Sequence, residues 1–145
     1  VNNVILFCET IFEKNSIVCK FKHSEDFIIN CNQINFSDSI LNIIDNSIYA
    51  LVNNKDKEDR YILINFSNKI LSIKDSANGI EEEIITKICE PYFTTKHQAF
   101  GVGLGLFTVH EFFVRNLNFK IEFKNEEFEY KNKKLKGLNI NINFN

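Results

Sequence analysis

Asn42 and Asn46 stand one helical turn apart in Asn42-Ile43-Ile44-Asp45-Asn46-Ser47-Ile48-Tyr49-Ala50. A carboxamide oxygen at Asn46, on the polar side of a helix, is a hard ligand able to hold Mg²⁺ against substrate phosphates. A solvent-facing asparagine fits the same place, and with 21 Asn among 145 residues any single one weighs little. Asp75 precedes the small-residue loop Ser76-Ala77-Asn78-Gly79, where its carboxylate either accepts a hydrogen bond from an exocyclic amine or initiates a turn. Gly101-Val102-Gly103-Leu104-Gly105 reads as a hinge or, with Gly79, as backbone whose N–H groups can approach phosphates. Lys96 is the only lysine or arginine between Glu90 and Gly101, so it is either the cation that meets phosphate charge or a solvated lysine. Thr94 and Thr95 beside it either bond phosphate or shape the loop.

Positioning these groups falls to a small set of elements. Ile40, Leu41, Ile44, Ile48, Leu51 and Val52 recur at spacings of three and four, which predicts an amphipathic helix from about Gln33 to Val52 carrying Asn42, Asn46 and Tyr49 on its other face. Ile17–Phe21 and Asp26–Ile29 read as short strands, and Tyr61–Phe66 with Ile70–Lys74 as a hairpin that ends at Asp75. A short helix over Glu81–Ile88 stops before Pro91. Another follows the glycines with Leu106, Val109, His110, Phe113 and Val114 at helical spacing. Phe119–Phe123 and the strictly alternating Leu138–Phe144 close the chain as antiparallel strands with one buried face. The charged Lys124–Lys136 stretch lies between them, with Lys131–Lys136 read as a solvated turn rather than a nucleic-acid patch.

Taken in order, these segments resemble the boxes of sensor histidine kinases. Asn42–Ala50 resembles the asparagine box and Asp75-Ser76-Ala77-Asn78-Gly79-Ile80 the first glycine box. Glu90-Pro91-Tyr92-Phe93-Thr94-Thr95-Lys96 resembles the phenylalanine box, and Gly101–Leu106 the second glycine box, with a short lid between them. The resemblance covers roughly residues 10 to 145, a whole catalytic ATP-binding domain. It implies an α/β two-layer sandwich of the Bergerat type: a mixed, mostly antiparallel sheet packed against helices, with an ATP lid. It also implies ATP and Mg²⁺ as cofactors, Asp75 accepting from the adenine amine and Asn46 holding the metal. Nucleotide contacts then fall to Asn46, Asp75, Gly79, Ile80, Thr94, Thr95, Lys96, Gly101, Val102, Gly103, Leu104 and Gly105, and the candidate catalytic positions to Asn42 and Lys96. Phe93, with Tyr92, is expected to pack the lid on the core, and residues 93–101 to be mobile without nucleotide.

Departures from the family pattern carry their own expectations. Asn42 stands where related ATPases carry a carboxylate base, and a carboxamide takes no proton at neutral pH, so water activation should be poor. Tyr49 replaces a basic residue one turn after Asn46, leaving phosphate neutralisation to Lys96. Ala77 replaces a common glycine, and Asn116 or Asn118 a glycine turn, since Asn tolerates the left-handed region. His110 reads as structural, and His97 as too near the nucleotide to be a phosphoacceptor.

Composition bounds the rest. At 17.0 kDa, 44% hydrophobic and 25% charged, the chain fits one globular domain over residues 1–145, and a net charge of -2 favours neither nucleic acid nor an anionic membrane. Cys8, Cys19, Cys31 and Cys89 lack metal or disulfide spacing and read as reduced thiols. The resemblance implies a cytoplasmic, monomeric catalytic domain whose parent is free to be membrane-anchored. Its partners would be the parent's dimerisation (histidine-phosphotransfer) domain and, through it, a response regulator. The alternatives are a stand-alone ATPase or anti-sigma-factor-type serine kinase, and a nucleotide-sensing module without catalysis.

Overall fold

The computed structural model describes residues 1–96 and 103–145. In chain order these form α1 (Asn2–Lys14), β1 (Val18–His23), α2 (Gln33–Asn54), β2 (Tyr61–Ser67), β3 (Ile70–Asp75), the single turn α3 (Glu82–Ile85), α4 (Gly105–His110), β4 (Lys120–Tyr130) and β5 (Lys133–Asn143). α4 widens without a break into a π-helical turn over Glu111–Asn116. The strands make one mixed sheet in the order β1-β2-β3-β5-β4, with β1 parallel to β2 and the remaining pairs antiparallel. A parallel pair needs a crossover, and α2 supplies it.

Period two decides which face of the sheet is dry. Ile62, Ile64, Leu71, Ile73, Ile140 and Ile142 point to the helices, while Asn65, Ser72, Asn139 and Asn141 alternate with them on the other face. Against the apolar face α2 lays Ile40, Ile43, Ile44 and Leu51, all fully buried. Truncating any of these to Ala should cost about 2–5 kcal/mol, so the rotation of α2 about its axis is fixed and its polar residues are held toward a single cavity.

The structure departs from the sequence reading at five places, and the first is the expected helix over Glu81–Ile88, which is the single turn α3 at Glu82–Ile85. Residues 2–14 form a helix, α1, although Val4–Cys8 is an unbroken apolar run in which no single period is legible; Val4, Cys8 and Phe12 face the core. The expected strand at Asp26–Ile29 is a loop instead, held by Phe27 against Phe66 and Phe144 at ring distances of 6.1 and 5.7 Å. The closing hairpin is longer than expected, because opposite charges face each other directly at Glu127↔Lys136 and Glu129↔Lys134. Lys131 and Asn132, both at positive φ, make its two-residue turn. The apolar helix after the glycines changes to π geometry at Glu111 and ends at Asn116; Asn118 just beyond it, at φ 57, bears out the expectation that Asn replaces a turn glycine there. All four cysteines are free thiols.

Candidate functional site

Asn42, Asp45, Asn46 and Tyr49 follow at steps of three, one and three along α2 and share the face opposite the buried isoleucines. They form one wall of a cavity of about 270 Å³, also lined by Asp75, Gly79, Ile80, Phe93, Thr94, Thr95, Lys96, Gly103, Leu104 and Gly105. Asn46 donates its carboxamide N–H to the Asn42 carbonyl at 2.9 Å, which orients the group and leaves its oxygen as the acceptor end. No cluster of three His, Cys, Asp or Glu able to hold a metal exists among the described residues. An ion such as Mg²⁺ would therefore depend on Asn46 and on the substrate's own oxygens, which suits its preference for keeping few protein ligands.

In the same cavity Asp75 closes β3 and is 5% exposed. Its Oδ1 accepts from the backbone N–H of Ala77 at 2.9 Å and of Leu138 at 3.2 Å, and its Oδ2 accepts from the Ser47 hydroxyl at 3.2 Å. Burial pushes this carboxyl up from its ordinary value, opposed by those three hydrogen bonds. Ile80, Ile84, Ile88, Leu138 and Ile140 supply apolar walls beside it. A flat heteroaromatic ring bearing an amine fits such a place: apolar faces against the ring, and an acceptor for the N–H.

The loop after Asp75 is held by a residue that sequence reasoning missed. Asn125 of β4 accepts from the Ile80 N–H at 2.9 Å and donates to the Ile80 carbonyl at 2.7 Å and to Glu82 at 2.9 Å. Gly79 has φ 74 and lies so close that a Cβ would run into the Asn125 side chain. Asn78 takes the neighbouring left-handed position at φ 73, so Ala77 is not required to adopt it and the change from glycine is harmless.

Glu90-Pro91-Tyr92-Phe93 is a turn closed by the Phe93 N–H on the Glu90 carbonyl at 3.3 Å, with Tyr92 at φ 63. Proline followed by a positive φ is type II geometry. It turns Tyr92 outward, 75% exposed, while Phe93 lines the cavity, so only Phe93 docks the loop as expected. Thr94 Oγ1 accepts from the Lys96 N–H at 3.0 Å, which gives Thr94 the loop-shaping role; Thr95 faces the cavity. Lys96 Nζ lies 3.1 Å from Asp45 Oδ2 and 4.9 Å from the centre of the Tyr49 ring. Gly103, φ 75, packs on the Tyr92–Phe93 backbone, and Gly105 opens α4 beside Asn42. Gly101, Val102 and His97 lie outside the described residues, as does the lid segment 97–101. His110 ends α4 and does not line the cavity.

Asn42, Asn46, Asp75, Gly79, Ile80, Thr94, Thr95, Lys96, Gly103, Leu104 and Gly105 thus meet around one space. Asp45 and Ser47 line it too, and Asn125 and Gly137 support it from outside the lining, none of the four having been singled out. Gly137 carried a legible signal, since a lone glycine inside a strand marks a close backbone approach. A Cβ there would collide with the Asp75 carbonyl.

A family comparison agrees with the geometry. The profile of the histidine kinase-, DNA gyrase B-, and HSP90-like ATPases matches residues 32–143, and the chain belongs to this family. Sporulation kinase C of Bacillus subtilis (strain 168) is 25% identical over 114 residues, 72% of this chain and 26% of its own length. Sporulation kinase A of the same organism is 28% identical over 105 residues, 72% of this chain and 17% of its own length. The chain therefore spans only a small part of these curated relatives. Among solved structures, the catalytic domain of histidine kinase ThkA superposes with a TM-score of 0.72 at 25% identity, covering 97% of this chain and 89% of that one. The mycobacterial sensor histidine kinase MprB shares the fold at a TM-score of 0.71 and 16% identity, covering 97% and 92%. The chain is an ATP-binding domain with the fold of a histidine kinase catalytic domain.

Proposed function

We propose that this chain is the catalytic ATP-binding domain of a two-component sensor histidine kinase, presenting the γ-phosphoryl group of Mg-ATP to a histidine on a separate dimerisation domain of the parent protein. The observation that carries this reading is that a buried Asp75 carboxylate, Asn46 and Lys96 line one cavity. Asp75 recognises the adenine amine while the neighbouring isoleucines cover the ring. Asn46 offers its oxygen to Mg²⁺, which when bound neutralises phosphate charge and orients the transferred group. Lys96 meets the terminal phosphates, with Thr95 within the same wall. Asn42 provides no base, which suits transfer to a neutral imidazole, itself a nucleophile. Among the described residues no helix is long and apolar enough to cross a membrane, and the domain acts in the cytoplasm, passing its signal through the dimerisation domain to a response regulator.

Calorimetric titration tests the reading. The chain should bind Mg-ATP and Mg-ADP and discriminate against GTP. Asn46→Ala should chiefly lower the dependence on Mg²⁺. Absence of binding at millimolar Mg-ATP, or equal binding of GTP, would show that the site residues are wrongly assigned.

A further inference from the structure

Lys96 is held by two side chains of α2. Its ammonium is bracketed by the Asp45 carboxylate at 3.1 Å and the Tyr49 ring at 4.9 Å, two groups four residues apart on one face of α2. The lysine side chain is 14% exposed and that of Asp45 68%. The cation has thus been drawn out of water while the anion keeps most of its hydration, and such a pair biases an equilibrium by no more than about fivefold. Asp45 adjoins Asn46, so phosphates held by an ion on Asn46 arrive next to the carboxylate that already holds Lys96. One ammonium then faces two kinds of anion. The uncharged Tyr49 ring competes with neither, and attracts the ammonium through its π face.

We propose that Asp45 is the resting partner of Lys96 and competes with the nucleotide's terminal phosphates for it, while the Tyr49 ring keeps the ammonium inside the cavity in either state. Asp45 thereby sets how much tighter a triphosphate binds than the bare nucleoside. This inference rests on the reading above in which Lys96 meets phosphate.

The test is calorimetry of Mg-ATP and adenosine binding to the wild-type chain, D45N, K96M and the double variant, with circular dichroism confirming the fold of each. D45N should tighten Mg-ATP by about two- to fivefold, leave adenosine unchanged, and lose its effect in the K96M background. A gain that survives in K96M would mean that Asp45 repels phosphate directly, and the proposal fails. No gain, or an equal gain for adenosine, overturns it as well. If K96M alone binds Mg-ATP as tightly as wild type, the phosphate role of Lys96 is what fails, and the competition falls with it. Tyr49→Leu should weaken Mg-ATP but not adenosine; equal losses in both would remove the ring from its part.

Discussion

The backbone N–H of Leu138 donates to Oδ1 of Asp75 at 3.2 Å, joining the middle of β5 to the last residue of β3. The contact exists because residue 137 has no side chain: a Cβ there would collide with the Asp75 carbonyl. The depth and direction of the buried Asp75 carboxylate therefore depend on a glycine in a neighbouring strand. Gly137→Ala should force the strands apart locally and cost about 1–3 kcal/mol, the usual range for overpacking. Urea midpoints check the stability, and calorimetry should show adenosine affinity falling together with that of ATP.

Asp75 separates stability from binding. Burial raises its carboxyl in the folded protein above the unfolded value. Between those two values the folded state holds the proton and the unfolded state has lost it, so stability falls as pH rises through that window and stays lowered above it. Asp75→Asn removes this penalty while keeping an oxygen for the Ala77 and Leu138 amides. The variant should be at least as stable as wild type at neutral pH, with a flatter stability profile above the ordinary carboxylate range. Its adenine binding should nevertheless be lost, by about 1.5–3 kcal/mol for a hydrogen bond to a charged acceptor. Thermal melts across pH and parallel titrations read the two effects independently. A destabilised variant at neutral pH would contradict the burial argument.

What is legible in the sequence follows from where a local period or a local motif exists. α2 and the β2–β3 hairpin can be read because Ile40–Leu51 and Tyr61–Asp75 keep clean spacings, whereas Asn46 and Asp75 on them are marked only by the order of the boxes, and Asp45 and Ser47 by nothing local. α1 is hidden because Leu6 and Phe7, both exposed, fill the side that should be polar. Asp26–Ile29 is extended in composition yet pairs with no strand, since its Phe27 finds aromatic partners instead. Asn125 is invisible for another reason: its three hydrogen bonds reach Ile80 and Glu82, more than forty positions away in the chain, and one Asn in so many carries no mark. Replacing it with Ala should leave the Ile80 backbone unpartnered at about 1–3 kcal/mol, seen as a lowered urea midpoint with weaker adenosine binding.

The loop from Phe93 to Lys96 offers a prediction that separates the two nucleotides. Its Lys96 ammonium rests on Asp45, and its backbone is tied by the Thr94 hydroxyl to the Lys96 N–H. ATP brings one more phosphate to that cation than ADP does. Amide exchange over residues 93–96 should therefore slow more with Mg-ATP than with Mg-ADP. Equal protection by both would show that the last phosphate does not reach Lys96.

Asn42 governs the final prediction. Its side chain lies directly beside Gly105, and its backbone carbonyl already holds the Asn46 amide, so a change of the Asn42 side chain leaves the orientation of Asn46 intact. A carboxamide cannot take a proton from water, whereas a neutral imidazole attacks phosphorus without needing a base. The chain alone should thus hydrolyse ATP slowly, yet label a dimerisation fragment of its parent with acid-labile, base-stable phosphate when given [γ-³²P]ATP. Asn42→Glu supplies the missing base within the same cavity and should raise hydrolysis by about 10²-fold, the lower range for general-base catalysis, without a matching rise in labelling. Free phosphate and labelled fragment are counted from one reaction. Rapid hydrolysis by the unaltered chain with no label on any histidine would identify an ATPase instead of a phosphoryl donor.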